Sequence, residues 1–180
     1  KEYGEDCLNL NIYVPARDAL EARREGRGLP VAVYIHGGAF QNGSNRDRSG
    51  KQIIRDHSFI YVSINYRLGV LGYLYLGAAL GEEYRGTGNN GTLDQLAALQ
   101  WVRANIAAFG GDANNITIMG QSAGAMSVQQ LVLSPITRGL FSKAVMSSGG
   151  GVSQMLTAKP AAAHYPFWKQ VMETAGCSTL

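Results

Sequence analysis

Ser122 is the residue whose neighbours in the sequence best suit nucleophilic chemistry. It lies at the centre of the pentapeptide GQSAG, between a β-branched run at 116–118 and a helix-compatible segment at 123–133. A sharp turn from strand to helix strains the serine backbone and exposes its hydroxyl, and glycines two residues to either side give that turn room. The helix also directs its free N–H groups and the positive end of its dipole toward a developing oxyanion. The pattern therefore predicts a nucleophilic serine.

A second candidate loop, HGGAF at 36–40, follows an apolar run at 30–36 that is typical of an interior strand in a parallel sheet. Successive small residues after a strand let backbone N–H groups approach a ligand closely. Ligands of such sheets bind outside the carboxyl ends of the strands, and both this loop and the pentapeptide at 120–124 fall there. We therefore expect the two loops to meet at one site.

The alternation of strand and helix patterns predicts an α/β fold, with a mostly parallel sheet covered by helices on both faces. We predict strands over 8–14, 30–36, 58–65, 116–119 and 143–148, and helices over 90–108, 123–133 and 166–175. Asn90 or Thr92 is expected to cap the first of these helices, with Asp94 in its first turn and Gly110 at its end. The segment 66–88, rich in glycine and tyrosine, is expected to be irregular.

The composition is that of a globular domain and argues against two classes of partner. The chain has 180 residues, 46% of them hydrophobic and 16% charged, with a formal net charge of +3. Acidic residues interleave with the basic ones between Arg17 and Arg27, so we expect a solvated loop or short helix and no nucleic-acid partner. The longest apolar tract, 70–81, is too short to span a bilayer. No residue pattern calls for a metal or another cofactor.

The sequence is compatible with either a secreted or a cytoplasmic protein, because it starts at Lys1 and not at a methionine. Cys7 and Cys177 are expected to be free thiols, since they could pair only if the fold joined the two ends of the chain. Glycosylation sequons, which are compatible with export, occur at Asn42, Asn90 and Asn115.

Seven segments together resemble the type-B carboxylesterase and cholinesterase-like branch of the α/β-hydrolases. They are EDCLNLN at 5–11, HGGAF at 36–40, NYRLG at 65–69, GNNGTLDQ at 88–95, QWV at 100–102, FGGD at 109–112 and GQSAGA at 120–125. They occur in the family's order and cover nearly the whole chain. The resemblance implies an α/β-hydrolase fold and hydrolysis of small-molecule carboxylic esters, without a cofactor.

Residue by residue, the resemblance implies that Ser122 is the nucleophile and that the N–H groups of Gly38, Ala39 and Ala123 form the oxyanion hole. Gly is frequent in the family at the position of Ala39, but the donor is main chain in either case. Gln121 stands where the family often has glutamate. Its neutral side chain favours neutral esters over cationic, choline-like ones.

The acid and histidine of a catalytic triad are missing from the pattern. In α/β-hydrolases they follow the serine in that order, whereas here Glu173 is the only acidic residue after Ser122 and His164 precedes it. His36 and His57 are expected to be structural. Family members are also much longer. We therefore expect residues 1–180 to be a single partial domain of a longer esterase, inactive alone and prone to self-association unless the remaining chain or a complementing chain covers it.

Two other functions fit parts of the pattern. A non-catalytic scaffold or interaction module is one, since cholinesterase-like adhesion proteins share the fold, although such proteins typically lose the serine. A serine peptidase with the same turn around its nucleophile is the other. Competition between ester and peptide substrates would separate the hydrolases, and loss of activity on replacing Ser122 would exclude the scaffold.

Overall fold

Strands and helices alternate along the chain in a computed structural model that describes residues 4–150 and 161–177. Within these residues the strands are β1 (Leu10–Tyr13), β2 (Leu29–Ile35), β3 (Ile60–Ile64), β4 (Gly111–Gln121) and β5 (Lys143–Ser147). The helices are α1 (Ala16–Arg24), α2 (Gly50–Ile53), α3 (Gly69–Tyr73), α4 (Gly77–Leu80), α5 (Asn90–Asn105), α6 (Ala123–Leu133) and α7 (Ala161–Thr174). Single turns of 3₁₀-helix occur at 82–84, 87–89, 106–109 and 135–137.

The five described strands form one sheet in the order β1-β3-β2-β4-β5. β1 runs antiparallel to β3, and the other neighbouring pairs are parallel. Val33 of β2 lies opposite both Val62 and Ile118, so the centre of the sheet is a continuous row of β-branched side chains. The prediction of a mostly parallel sheet is confirmed.

Helices pack on both faces of this sheet. The face that carries Val33 and Ile118 is buried together with side chains of α5 and α6, among them Leu99 and Val128, in the main hydrophobic core. The opposite face carries a tyrosine cluster, in which Tyr61 contacts Tyr13 and Tyr34. Gly50 of α2 lies so close to Tyr13 and Tyr61 that an added Cβ would come within 2.6 Å of either ring.

Several predicted boundaries need correction. The segment 66–88 is not irregular: it contains α3, α4 and two 3₁₀ turns, held by local bonds such as Gly72 N–H to the Leu68 carbonyl. The tract that forms α3 and α4 is apolar almost throughout and these helices are only 5 and 4 residues long, so it shows no helical periodicity. The basic segment after Pro15 forms a short helix, α1, one of the two structures expected for it.

The helix ends also differ from expectation. α5 begins after Asn89, whose side chain makes no capping bond, so neither Asn90 nor Thr92 is the cap. Asp94 lies beyond the first turn and binds Arg67, a tertiary partner that outweighs the weak helix-dipole effect. Gly110 ends the following 3₁₀ turn in a left-handed conformation, as predicted. α7 starts at Ala161 and contains Pro166 within its length.

Among the described strands β5 lies at an edge of the sheet, and every one of its residues is exposed. Val145 and Met146 expose 46% and 44% of their surface. Both cysteines are free thiols, as expected. None of the described helices has the length and apolarity needed to cross a membrane.

Candidate active site

The backbone at Ser122 is strained in the way that the sequence predicts. Ser122 has φ 55° and ψ −123°, a conformation that L-residues rarely adopt, between the end of β4 and the start of α6. Its N–H donates to the carbonyl of Ser147 in β5, at 2.9 Å. A Cβ on Gly120 would overlap the backbone of Gly124, and a Cβ on Gly124 would overlap the carbonyl oxygen of Ile35. The turn therefore requires glycine on both sides of the serine.

The loop after β2 turns sharply through three residues with positive φ. The values are 112° for Gly38, 54° for Ala39 and 61° for Phe40, and the N–H groups of Gln41 and Asn42 close the turn by donating to the Gly38 carbonyl. None of the hydrogen bonds among the described residues has the N–H group of Gly38, Ala39 or Ala123 as its donor. These three donors are therefore not committed to an acceptor in the described part of the chain.

The two loops are in contact. A Cβ built on Gly37 would lie 2.6 Å from the Gln121 carbonyl oxygen and 3.2 Å from Cβ of Ser122. Ala39 is exposed, while Ser122 and Gly38 are half-buried at the same end of the sheet. The expectation that residues distant in sequence converge at the carboxyl ends of β2 and β4 is confirmed.

His36 is part of the frame of this loop. It is 2% exposed, its ring stacks on Tyr66 with centroids 4.5 Å apart, and Nδ1 donates to the Gly37 carbonyl at 2.8 Å. A carbonyl only accepts, so Nδ1 carries the hydrogen and Nε2 the lone pair. Burial lowers the pKa of His36 below its ordinary value of 6.5, against smaller opposing effects of the Gly37 hydrogen bond and the Asp47 carboxylate. The imidazole is therefore neutral at neutral pH.

Sequence reasoning missed an ion pair beside the loop. The Asp94 carboxylate accepts from the backbone N–H of Arg67 at 3.0 Å, and from Nε and one terminal nitrogen of its guanidinium at 2.8 Å each. Asp94 is almost fully buried, with 7% of its side chain exposed, whereas Arg67 is exposed to 38%. The only available signal was that both residues fall within the segments that resemble the family.

A triad is not assembled by the described residues. Among them, no partner lies within hydrogen-bond distance of the Ser122 hydroxyl. His57 is exposed and stacks on Phe59 just before β3, at the opposite end of the sheet. Glu173 lies on α7 and pairs with Lys169 at 3.8 Å. The side chain of His164 lies outside the described part of the structure.

Metal chemistry has no ready ligand set in the part of the chain that the structure describes. No group of three histidine, cysteine, aspartate or glutamate side chains there could hold a metal ion.

Comparisons with known proteins point in the same direction. The sequence profile of the carboxylesterase family matches residues 1–180. Liver carboxylesterase 1F of Rattus norvegicus is 43% identical over 178 residues, which are 99% of this chain and 29% of that protein. Para-nitrobenzyl esterase of Bacillus subtilis (strain 168) is 42% identical over 170 residues, 93% of this chain and 32% of that protein.

Solved structures are similar over the same region. The crystal structure of the Geobacillus stearothermophilus carboxylesterase EST55 at pH 6.2 superimposes with a TM-score of 0.85 at 43% identity. The alignment covers 96% of this chain and 34% of that one. The chain thus spans about a third of the length of the relatives it matches.

Proposed function

This chain belongs to the carboxylesterase family, and from that premise we propose that it supplies the nucleophile and the oxyanion hole of a serine ester hydrolase. Ser122 is the nucleophile, and the N–H groups of Gly38, Ala39 and Ala123 bind the oxyanion. The observation that carries the proposal is the contact between the strained turn at Ser122 and the loop in which the N–H groups of Gly38 and Ala39 donate to no acceptor among the described residues.

The reaction follows from these groups. Ser122 Oγ attacks the ester carbonyl carbon while its proton passes to a histidine base, and the carbonyl oxygen becomes an oxyanion held by the three donors. The C–O bond to the alcohol then breaks, and the alcohol leaves with the proton from the histidine. Water then attacks the acyl carbon while its proton passes to the same histidine. The bond from that carbon to Ser122 Oγ breaks, the carboxylic acid leaves, and the histidine returns the proton to Oγ. Each oxyanion donor contributes a factor of roughly 10²–10³ to the rate.

The acid and the histidine of the triad are proposed to lie in a longer protein that contains this chain as part of one domain. Two observations support this: the described residues present no base to Ser122, and the matched relatives are about three times as long. The 180 residues alone are then inactive. The exposed edge at β5 supports the expectation that the isolated chain associates with itself.

Neutral carboxylic esters are the proposed substrates. Gln121 directly precedes the nucleophile, and its side-chain oxygen lies beside Gly37, 3.1 Å from the position of an added Cβ. Its side chain therefore borders the loop that would bind the oxyanion. An uncharged amide there offers no ion pair to a cationic alcohol group, so a quaternary ammonium ester gains nothing over a neutral ester of the same size.

The direct test is hydrolysis of p-nitrophenyl butyrate by the full-length protein, before and after treatment with an organophosphate, with intact-mass analysis of the same sample. We expect turnover, inactivation with a single adduct at Ser122, and loss of turnover in Ser122→Ala. An active Ser122→Ala variant would overturn the proposal. Inert wild-type protein that takes up no adduct would favour the scaffold, and faster cleavage of peptides than of matched esters would favour a peptidase.

A further inference from the structure

We propose that Asp94 and Gln95, neighbours on α5, position the two sides of the oxyanion hole relative to each other. The inference rests on the proposed function and adds positioning residues to it. Their hydrogen-bond partners among the described residues are Arg67 and Ser127, not Ser122. Each side chain begins a short chain of hydrogen bonds that ends on a different segment carrying an oxyanion donor.

The first chain runs from Gln95 to α6. Gln95 Nε2 donates to Ser127 Oγ at 3.0 Å, and Ser127 Oγ donates to the carbonyl of Ala123 at 3.1 Å. Gln95 and Ser127 are both fully buried, so solvent does not compete for these bonds. Ala123 is the first residue of α6 and carries one of the three proposed donors. The chain therefore ties the first turn of α6, which begins with Ala123, to α5.

The second chain runs from Asp94 to the loop after β2. Asp94 binds the backbone N–H and the guanidinium of Arg67, which fixes the course of the segment 66–69. That segment holds the loop at both ends: the Tyr66 hydroxyl donates to the His36 carbonyl at 2.8 Å, and the Gly69 N–H donates to the Phe40 carbonyl at 2.7 Å. Gly38 and Ala39, the other two proposed donors, lie between these anchors.

A common origin for the two chains has a catalytic consequence. The three donors bind one oxygen atom only if the loop after β2 and the start of α6 keep a fixed separation. Asp94 and Gln95 are consecutive residues on one helix turn, so the two chains start from one rigid point. A displacement of about 1 Å at a reacting group lowers the rate by up to about 10²-fold. Loss of one positioning hydrogen bond can therefore lower the rate by more than the free energy of that bond alone would indicate.

The test separates positioning from stability by removing both partners of the Gln95–Ser127 bond. Replacing both polar partners with apolar groups of similar shape leaves stability nearly unchanged, whereas removing one leaves the other unsatisfied. The variants are Gln95→Met, Ser127→Ala, their combination, and Asp94→Asn, all in the full-length protein. Thr137→Val is the matched control, because this buried hydroxyl also donates to a carbonyl of α6, that of Leu131, but at the far end of the helix.

Four quantities are measured: kcat, KM, melting temperature, and the affinity of a trifluoromethyl ketone, which forms a tetrahedral oxyanion on the serine. We expect the double variant to melt close to wild type, with kcat lowered about ten- to a hundredfold and KM changed less than threefold. Affinity for the ketone should fall by the same factor as kcat. The double variant should lose no more activity than the worse single variant, since both act through one chain. Asp94→Asn should lower kcat and ketone affinity together.

The inference is overturned if the double variant and Asp94→Asn keep kcat and ketone affinity within twofold of Thr137→Val. It is also overturned if the losses in Gln95→Met and Ser127→Ala multiply in the double variant, because then they do not act through one chain. These results are distinct from failure of the proposed function, which appears as activity that survives Ser122→Ala.

Discussion

The hydroxyl of Tyr66 donates a hydrogen bond of 2.8 Å to the carbonyl of His36, and the two rings stack with centroids 4.5 Å apart. Both side chains are about 2% exposed. Burial raises the pKa of Tyr66 well above its ordinary value of 10.0, so this hydroxyl keeps its hydrogen at all working pH values. The contact joins the turn after β3 to the first residue of the loop that carries Gly38 and Ala39.

Tyr66→Phe should lower the free energy of unfolding by about 1–2 kcal/mol, because it removes one buried hydrogen bond and leaves the His36 carbonyl without its donor. The ring and its stacking remain. Urea unfolding of the full-length protein measures the change, with Tyr84→Phe as the control, since the ring of Tyr84 is 39% exposed. Equal stability of the two variants would show that the bond contributes nothing.

His36 should make stability depend on pH in the acid range. Its pKa in the folded protein is below 6.5, so between pH 6.5 and that lower value the unfolded chain binds more protons than the folded one. The free energy of unfolding therefore decreases as the pH falls below 6.5, and becomes level again below the folded pKa.

The contribution of His36 is isolated by comparison with His36→Gln, measured by urea unfolding from pH 8 to pH 4. His57, His164 and the carboxylates are common to both proteins, so the difference between the two curves belongs to position 36. We expect this difference to shrink as the pH falls. Parallel curves for wild type and variant would contradict the depressed pKa.

Gly124→Ala should be severely destabilising, by about 3 kcal/mol or more, because the new methyl would overlap the Ile35 carbonyl and lie 2.8 Å from that of His36. Both obstacles are backbone atoms and cannot rotate away. Gly86→Ala is the matched control: no atom lies within 4 Å of the added methyl, and φ is −80°. Its stability should stay the same or rise by up to about 1 kcal/mol. Similar melting temperatures for the two variants would refute the packing argument.

Local sequence was sufficient to predict the turn at Ser122. The strand, the two glycines and the helix lie within a single short stretch, and the predicted helix 123–133 matches α6 at both ends. Convergence of the two loops was also predictable, because parallel strands end at the same edge of a sheet. The predicted strand 58–65 extends two residues before β3 and one residue beyond it. The predicted strand 143–148 extends one residue beyond β5.

Polar tertiary contacts were the part that the sequence could not supply. Asp94 was assigned to the helix dipole, yet its partner Arg67 is 27 residues away. Gln95 and Ser127 are separated by 32 residues and lie on different helices. Neither hydrophobic periodicity nor capping preferences can predict such pairs, because both depend on residues close together in sequence. The short helices α3 and α4 were missed for a related reason. Each begins at a glycine and is too short to show a helical period of apolar residues.

Asn45 is the centre of an amide cluster that ties the loop after β2 to β1 and β3. Its backbone N–H donates to Asn65 Oδ1 at 2.7 Å, and its Nδ2 donates to Oδ1 of Asn9 at 2.8 Å and to the Asn9 carbonyl at 3.2 Å. Ser63 Oγ donates to the Asn45 carbonyl at 3.0 Å. Asn45 is 1% exposed, so the amide donates into a site without competing water.

Asn45→Asp should destabilise the protein by about 3 kcal/mol at pH 8, because a buried carboxylate would face two acceptor oxygens in place of a donor. Repulsion and burial would raise the pKa of the new carboxyl in the folded state, so the loss is complete above that pKa and diminishes as the pH falls toward 3.9. Asn45→Ala loses the same side-chain bonds without a charge, and its deficit should not depend on pH.

The comparison is made by urea unfolding from pH 8 to pH 4, with Asn114→Asp as a second control. Asn114 is exposed and its Oδ1 already accepts from Arg103 at 3.3 Å, so a carboxylate keeps that bond and should cost little at any pH. Recovery of stability on acidification in Asn45→Asp alone would show that the site requires a donor. If Asn45→Asp and Asn45→Ala have equal deficits throughout this range, the cluster acts only by packing, and the loop is held by its contacts with Tyr66 and Gly69.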